Sequence, residues 1–194
     1  VSLEELKIPP NRLYEKYINL AQLHLMQGQL EKAYTTTQQA IAVRPQAENA
    51  RLVQAQILFR QNKIELSELV LLRMEAKMKE EPEAQNLMAL IKLKQKKPSE
   101  ALQYFKHSLD LAPDLVSTRM NLGALYLTYR QINAAATQFE RVLKLQPNNL
   151  DARLHLAVAR QALGDETYAV ETYEEILEDH PEHPVALFNL AMIK

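Results

Sequence analysis

Apolar residues recur along this chain at intervals of three and four rather than two. Leu122, Leu125 and Tyr126 form one such stripe, and Ala135, Phe139, Val142 and Leu143 form the next. That spacing predicts amphipathic helices. The stripes themselves repeat. Pro45, Pro113, Pro147 and Pro181 close the segments AIAVRP, LDLAP, LKLQP and LEDHP at separations of 68, 34 and 34 residues. The unit is therefore 34 residues long, with one proline missing at position 79. In that frame five units span 14–47, 48–81, 82–115, 116–149 and 150–183, and the first helix of a sixth occupies 184–194.

Small residues fall into two columns of the frame. The eighth position reads Ala21, Ala55, Ala89, Gly123, Ala157 and Ala191, and the twentieth reads Ala33, Ser67, Ala101, Ala135 and Ala169. Each column lies in one of two predicted helices per unit, where a small residue lets two helix axes approach closely. A single pair cannot bury its apolar face alone, so stacking of successive pairs has to complete the core. Between the two helices the fifteenth position reads Gly28, Asn62, Lys96, Arg130 and Gly164. Gly and Asn suit the left-handed conformation that ends a helix; Lys96 and Arg130 have to accept it at some cost or use another turn. Proline at the thirty-second position stops the second helix. The second unit lacks that proline, so its second helix is expected to run on through Glu80 and Glu81 to Pro82.

This pattern resembles the tetratricopeptide repeat family. The segment NLGALYLTYRQINAAATQFERVLKLQP carries Leu122, Gly123, Tyr126, Ala135, Phe139 and Pro147 on the family's signature positions. YINLAQLHLMQGQLEKAYTTTQQAIAVRP and HLAVARQALGDETYAVETYEEILEDHP match nearly as well. The usual tryptophan at the fourth position is absent; Tyr17, Arg51, Gln85, Arg119, Arg153 and Leu187 stand there. The resemblance implies an all-α fold, a right-handed α-solenoid superhelix of stacked antiparallel helix pairs. It also implies a binding scaffold, in which the first helix of each unit lines a concave groove for a peptide or a folded partner.

On the family pattern the sixth position faces that groove, and here it reads Asn19, Val53, Leu87, Asn121, His155 and Asn189. An asparagine amide both donates and accepts, which suits the backbone of an extended ligand. Leu52, Val53, Phe59, Leu87, Leu90 and Leu93 would line the middle of the groove, flanked by Met120 and Leu127. Such a strip favours an apolar or amphipathic segment; packing against neighbouring helices would account for the same residues. Some family members clamp acidic chaperone tails with lysines and asparagines. The corresponding positions hold Ile18, Gln22, Val53, Glu83 and Leu87 here, which disfavours that partner.

Composition narrows the chemistry. Three glycines in 194 residues are well below the roughly 13 that average usage would give. They lie too far apart for a phosphate cradle or a nucleophile elbow. No cysteine is present, which removes thiol nucleophiles, thiolate metal sites and disulfides. His180 and His183 with Glu178, Asp179 and Glu182 form the nearest metal-like cluster, but Pro181 between the imidazoles breaks any shared helix face. Neither a cofactor nor a metal is expected, and no grouping points to catalysis.

The net charge is −1, which predicts no attraction to nucleic acid, and no apolar run is long enough to insert into a membrane. Locally, Lys92, Lys94, Lys96 and Lys97 form a basic patch read as a solvated turn. Residues 165–182 carry eight Asp and Glu with no Lys or Arg, read as an exposed helix face.

Residues 1–13 read as the possible end of a preceding helix, with Leu3 and Leu6 in its register, and VALFNLAMIK near the other end is apolar on several sides. A longer repeat array, or pairing of exposed terminal helices between molecules, would cover these faces. Two functions stay open: a non-catalytic scaffold that binds a partner segment and assembles a complex, or the regulatory or substrate-recruiting arm of a larger enzyme. The cytoplasm and a bacterial periplasm are both compatible.

Overall fold

The computed structural model describes residues 9–74 and 80–193. Among them are eleven α-helices and no strand. They are α1 (Pro10–Met26), α2 (Leu30–Val43), α3 (Glu48–Arg60), α4 (Ile64–Leu72), α5 (Pro82–Lys94), α6 (Pro98–Leu111), α7 (Val116–Thr128), α8 (Ile132–Leu145), α9 (Leu150–Ala162), α10 (Glu166–Asp179) and α11 (Pro184–Ile193). The chain divides into two compact units, the first ending at Tyr104 and the second beginning at Phe105, within α6.

In the first unit each helix packs on its neighbour in sequence from α1 to α5, and α3 also touches both α1 and α5. In the second unit α7 to α11 pack in the same successive way, with α7 also against α9. Within each unit, then, successive helices pair and the odd-numbered ones also touch one another, the arrangement of stacked antiparallel helix pairs. The small-residue columns sit at the crossings, apart from Ala191, which is exposed on α11. Ala21, Ala55, Ala89 and Ala157 are fully buried, as are Ala33, Ser67, Ala101, Ala135 and Ala169. At Gly123 a methyl group would lie 2.6 Å from the ring of the fully buried Phe139, so that ring occupies the space which alanine fills in the other pairs. Ser67 replaces alanine without an orphaned hydroxyl, because its Oγ donates to the Ala55 carbonyl at 2.7 Å.

The turns follow from local chemistry. After each first helix the chain closes with the residue at the fifteenth position at positive φ: Gly28 71°, Asn62 60°, Lys96 60°, Arg130 56° and Gly164 89°. The following amide then reaches back five residues, as in Gln29 N to His24 O and Gln131 N to Tyr126 O, both 2.9 Å, the Schellman closure. Lys96 and Arg130 thus adopt the strained conformation. After the second helix, Pro45, Pro113, Pro147 and Pro181 each take the second place of a turn closed by an amide three residues on, such as Ala47 N to Arg44 O at 3.0 Å. Arginine at the fourth position braces two of these turns. Arg51 donates to the Pro45 carbonyl at 2.9 Å and Arg119 to the Pro113 carbonyl at 2.8 Å.

Two expectations change. Helix α4 stops at Leu72 and does not continue through Glu80 and Glu81. Glu81 is extended, with φ −82° and ψ 124°, because the residue before a proline is pushed out of the helical region. Residues 75–79 lie outside the described residues. At the other boundary α1 begins at Pro10, so residues 10–13 extend the first helix, while Leu3 and Leu6 lie outside the described residues.

Candidate functional site

The odd-numbered helices of the first unit enclose a cavity of about 390 Å³. Gln22 comes from α1, Asn49, Leu52, Val53 and Gln56 from α3, and Glu81 and Glu83 from the start of α5. The α-helical period brings them together: Asn49, Leu52, Val53 and Gln56 fall three or four apart on one face of α3. Leu52 and Val53 are 8% and 2% exposed and form an apolar floor. The walls are three amides and two carboxylates. Amides can pair with both the N–H and C=O of an extended chain, and the carboxylates attract a cation.

This distribution differs from the apolar strip expected from the sequence. Leu87, at 4% exposure, joins Leu52 in the core between α3, α4 and α5, and Phe59 packs on the same cluster. Leu90 and Leu93 are half-buried and Asn19 is exposed on α1. The strip is largely the seam where neighbouring helices bury one another. Of the polar lining, Gln22, Asn49, Gln56 and Glu83 stand at the ninth or second positions of the frame, so the repeat period could have found them. Glu81 precedes its helix and carries no such signal.

In the second unit the predicted residues are engaged. Met120 and Leu127 lie against the core of Ala135, Ala136, Phe139, Leu156 and Ala159. His155 bonds through Nδ1 to the Asp151 carbonyl at 2.7 Å, its ring 5.2 Å from that of Phe139. Asn121 is half-buried. Asn189 donates to the Tyr173 hydroxyl at 3.3 Å, and that hydroxyl donates to Gln161 at 3.1 Å. Burial raises the Tyr173 pKa above the ordinary phenol value, partly opposed by the Asn189 bond.

Two charge features resolve into structure. Lys92 is not solvated: its ammonium lies 2.7 Å from Glu68, whose other oxygen accepts from Gln95 at 2.5 Å. Lys94, Lys96 and Lys97 are exposed. His183 accepts the Ala186 amide at 3.3 Å and so caps α11, while His180 ends α10 before Pro181. Among the described residues no group of three or more His, Asp or Glu is placed to hold a metal, and no helix is long and apolar enough to cross a membrane.

Stacked antiparallel pairs, Schellman turns and a polar cavity on the first-helix face define an all-α helical-repeat protein. Tetratricopeptide repeat models match residues 18–79, 82–115 and 127–187. The chain belongs to the tetratricopeptide repeat family. It is 28% identical over 109 residues to the human protein O-mannosyl-transferase TMTC3, a match covering 56% of this chain and only 12% of that protein. Among solved structures it is similar to TTC0263, a thermophilic TPR protein of Thermus thermophilus, with a TM-score of 0.73, 15% identity and coverage of 92% and 97% of the two chains. It is also similar to YrrB, described as a TPR protein with an unusual peptide-binding site, with a TM-score of 0.62, 20% identity and 89% coverage of both chains. These structural likenesses show the fold.

Proposed function

We propose that the chain is a non-catalytic scaffold that holds an extended partner segment on its first-helix face and so assembles a larger complex. The observation that carries this is the cavity of Gln22, Asn49 and Gln56 with Glu81 and Glu83 over the Leu52 and Val53 floor. The fitting segment is amphipathic: its backbone meets the amides, an apolar side chain meets the floor, and a Lys or Arg lies near Glu81 and Glu83. Asn19 and Leu90 flank the same face. Peptides selected from a displayed random library on this chain are expected to be enriched in Lys or Arg beside an apolar residue. Glu83→Lys should weaken them about tenfold, the worth of one charge-assisted bond. Selected peptides that bind Gln56→Ala and Glu83→Lys as tightly as the unaltered chain would refute the reading.

The alternative, a partner-recruiting arm of a larger enzyme, is favoured by the match to an O-mannosyl-transferase. Self-association is proposed as well, through α11, where Val185, Leu187, Phe188 and Met192 are exposed.

A further inference from the structure

A second cavity of the first unit, about 530 Å³, lies away from the first-helix site, between α2 and α4 over the other edge of α3. Ile41 and Ala42 from the last turn of α2 and Val70 from α4 give it apolar walls, with Gln38 and Gln54 beside them. Arg51 and Arg73 supply two guanidinium groups, and no carboxylate is among the described lining residues. Arg51 gives one N–H to the Pro45 carbonyl, which fixes its guanidinium at the cavity and leaves its other donors available. Arg73 is exposed at the end of α4. Here α4 has 9 residues where α2, α6, α8 and α10 have 14, so Arg73 falls at the helix end instead of within its last turns.

The second unit holds a counterpart of this crevice in which carboxylates stand beside the arginine. Between α8 and α10 a cavity of about 310 Å³ is lined by Leu143, Arg153, Thr172 and Glu175, among others. In the 34-residue frame these match Ile41, Arg51, Val70 and Arg73 one for one. Glu171 also lines it, and Arg153 lies 3.9 Å from the Asp179 carboxylate. There the chain provides its own carboxylates. In the first unit, Arg73 replaces Glu175, Val70 replaces Thr172, and the cavity is larger.

From this substitution of cation for anion and apolar for polar at one shared location, we infer that the α2–α4 crevice is a docking site for a partner peptide in which a carboxylate side chain adjoins a large apolar one. The apolar side chain enters between Ile41, Ala42 and Val70, and the carboxylate takes charge-assisted bonds from Arg51 and Arg73, where the other crevice holds Glu175 and sets Asp179 3.9 Å from Arg153. This site is distinct from the first-helix cavity and selects the opposite charge.

The test uses fluorescence anisotropy of a labelled octapeptide that alternates Asp with Leu and Phe, titrated with the full 194-residue chain. Binding is expected, with a loss of about tenfold for Arg73→Glu and for Val70→Asp. Replacing Asp by Lys in the peptide should abolish binding to the unaltered chain. Arg73 is exposed, so this variant keeps the fold, and a thermal melt verifies that. Gln56→Ala, on the other face, should leave the affinity unchanged. Absence of binding at millimolar protein, indifference to Arg73→Glu, an equal loss in Gln56→Ala, or full competition by a single-stranded oligonucleotide of the same charge would each overturn the proposal.

Discussion

Five residues occupy one backbone situation, the positive-φ position that closes the first helix of each pair, and only two of them are glycine. Asn62 accommodates it through its short polar side chain. Lys96 and Arg130 do not, and a side chain with Cβ in this region costs about 1–2 kcal/mol. Arg130 is exposed and makes no side-chain bond or ion pair among the described residues, so little opposes relief of that strain. Glycine would remove it while adding about 0.4–1 kcal/mol of unfolded-chain freedom. Arg130→Gly is therefore expected to stabilise the chain by about 0.5–1 kcal/mol, seen as a rise of about 2 °C in Tm by calorimetry. The reverse change at the equivalent position, Gly164→Ala, should lower Tm. An Arg130→Gly chain no more stable than its parent would mean that the turn carries no strain.

At the scale of elements, α4 is the shortest helix described, and its attachment to α5 depends on more than apolar packing. Glu68 on α4 accepts from Lys92 on α5 and from Gln95 just beyond it, with side-chain exposures of 19% and 12% for the charged pair. The Lys92 bond holds the Glu68 carboxyl below its ordinary pKa, against the opposing effect of burial, with the Gln95 bond assisting. The same bond raises Lys92 above the usual lysine value. A carboxylate with a lowered folded pKa stabilises the fold above its unfolded value, near 4.3, and that contribution is lost as pH falls through the folded value. Glu68→Gln should thus cost about 2 kcal/mol at pH 7, and the gap from the unaltered chain should narrow as pH drops under the unfolded value and close as it falls through the lowered folded one. Urea unfolding at pH 7 and pH 3 reads both. A deficit that is equal at the two pH values would assign the loss to packing rather than to the ion pair. This link also shows where sequence reasoning stops. The turn residues, the small-residue columns and the prolines act on their own chain neighbours, so period alone exposes them. Lys92 and Glu68 sit 24 residues apart, and nothing local distinguishes this lysine from the solvated Lys94 two positions on. Leu52, Val53 and Leu87 posed the complementary difficulty, because a leucine on the groove side of a helix has the same spacing whether it meets a ligand or the next helix.

For the whole molecule, the distribution of apolar surface bears on oligomeric state. Most large apolar side chains of both units are enclosed by successive helices. Helix α11 departs from this, since only Ala186 is buried on it while Phe188 and Met192 are 65% and 68% exposed. Its other side is anchored, with Leu190 and Ile193 resting on the core around Tyr173 and Ile176, and Asn189 tied to the Tyr173 hydroxyl. The exposed side is therefore held out rigidly, and a preformed apolar surface forfeits less ordering entropy on association than a mobile one. Sedimentation velocity of the 194-residue chain is expected to show a mass that rises with concentration in the tens of micromolar, the weak regime in which a patch of one helix can bind. Phe188→Lys combined with Met192→Lys should return the chain to a concentration-independent monomer. Both side chains point away from the core around Tyr173, so the melting temperature should hold. If the unaltered chain sediments as a monomer up to hundreds of micromolar, α11 does not join copies of this chain. If it associates and the double variant does so equally, the contact lies elsewhere on the molecule.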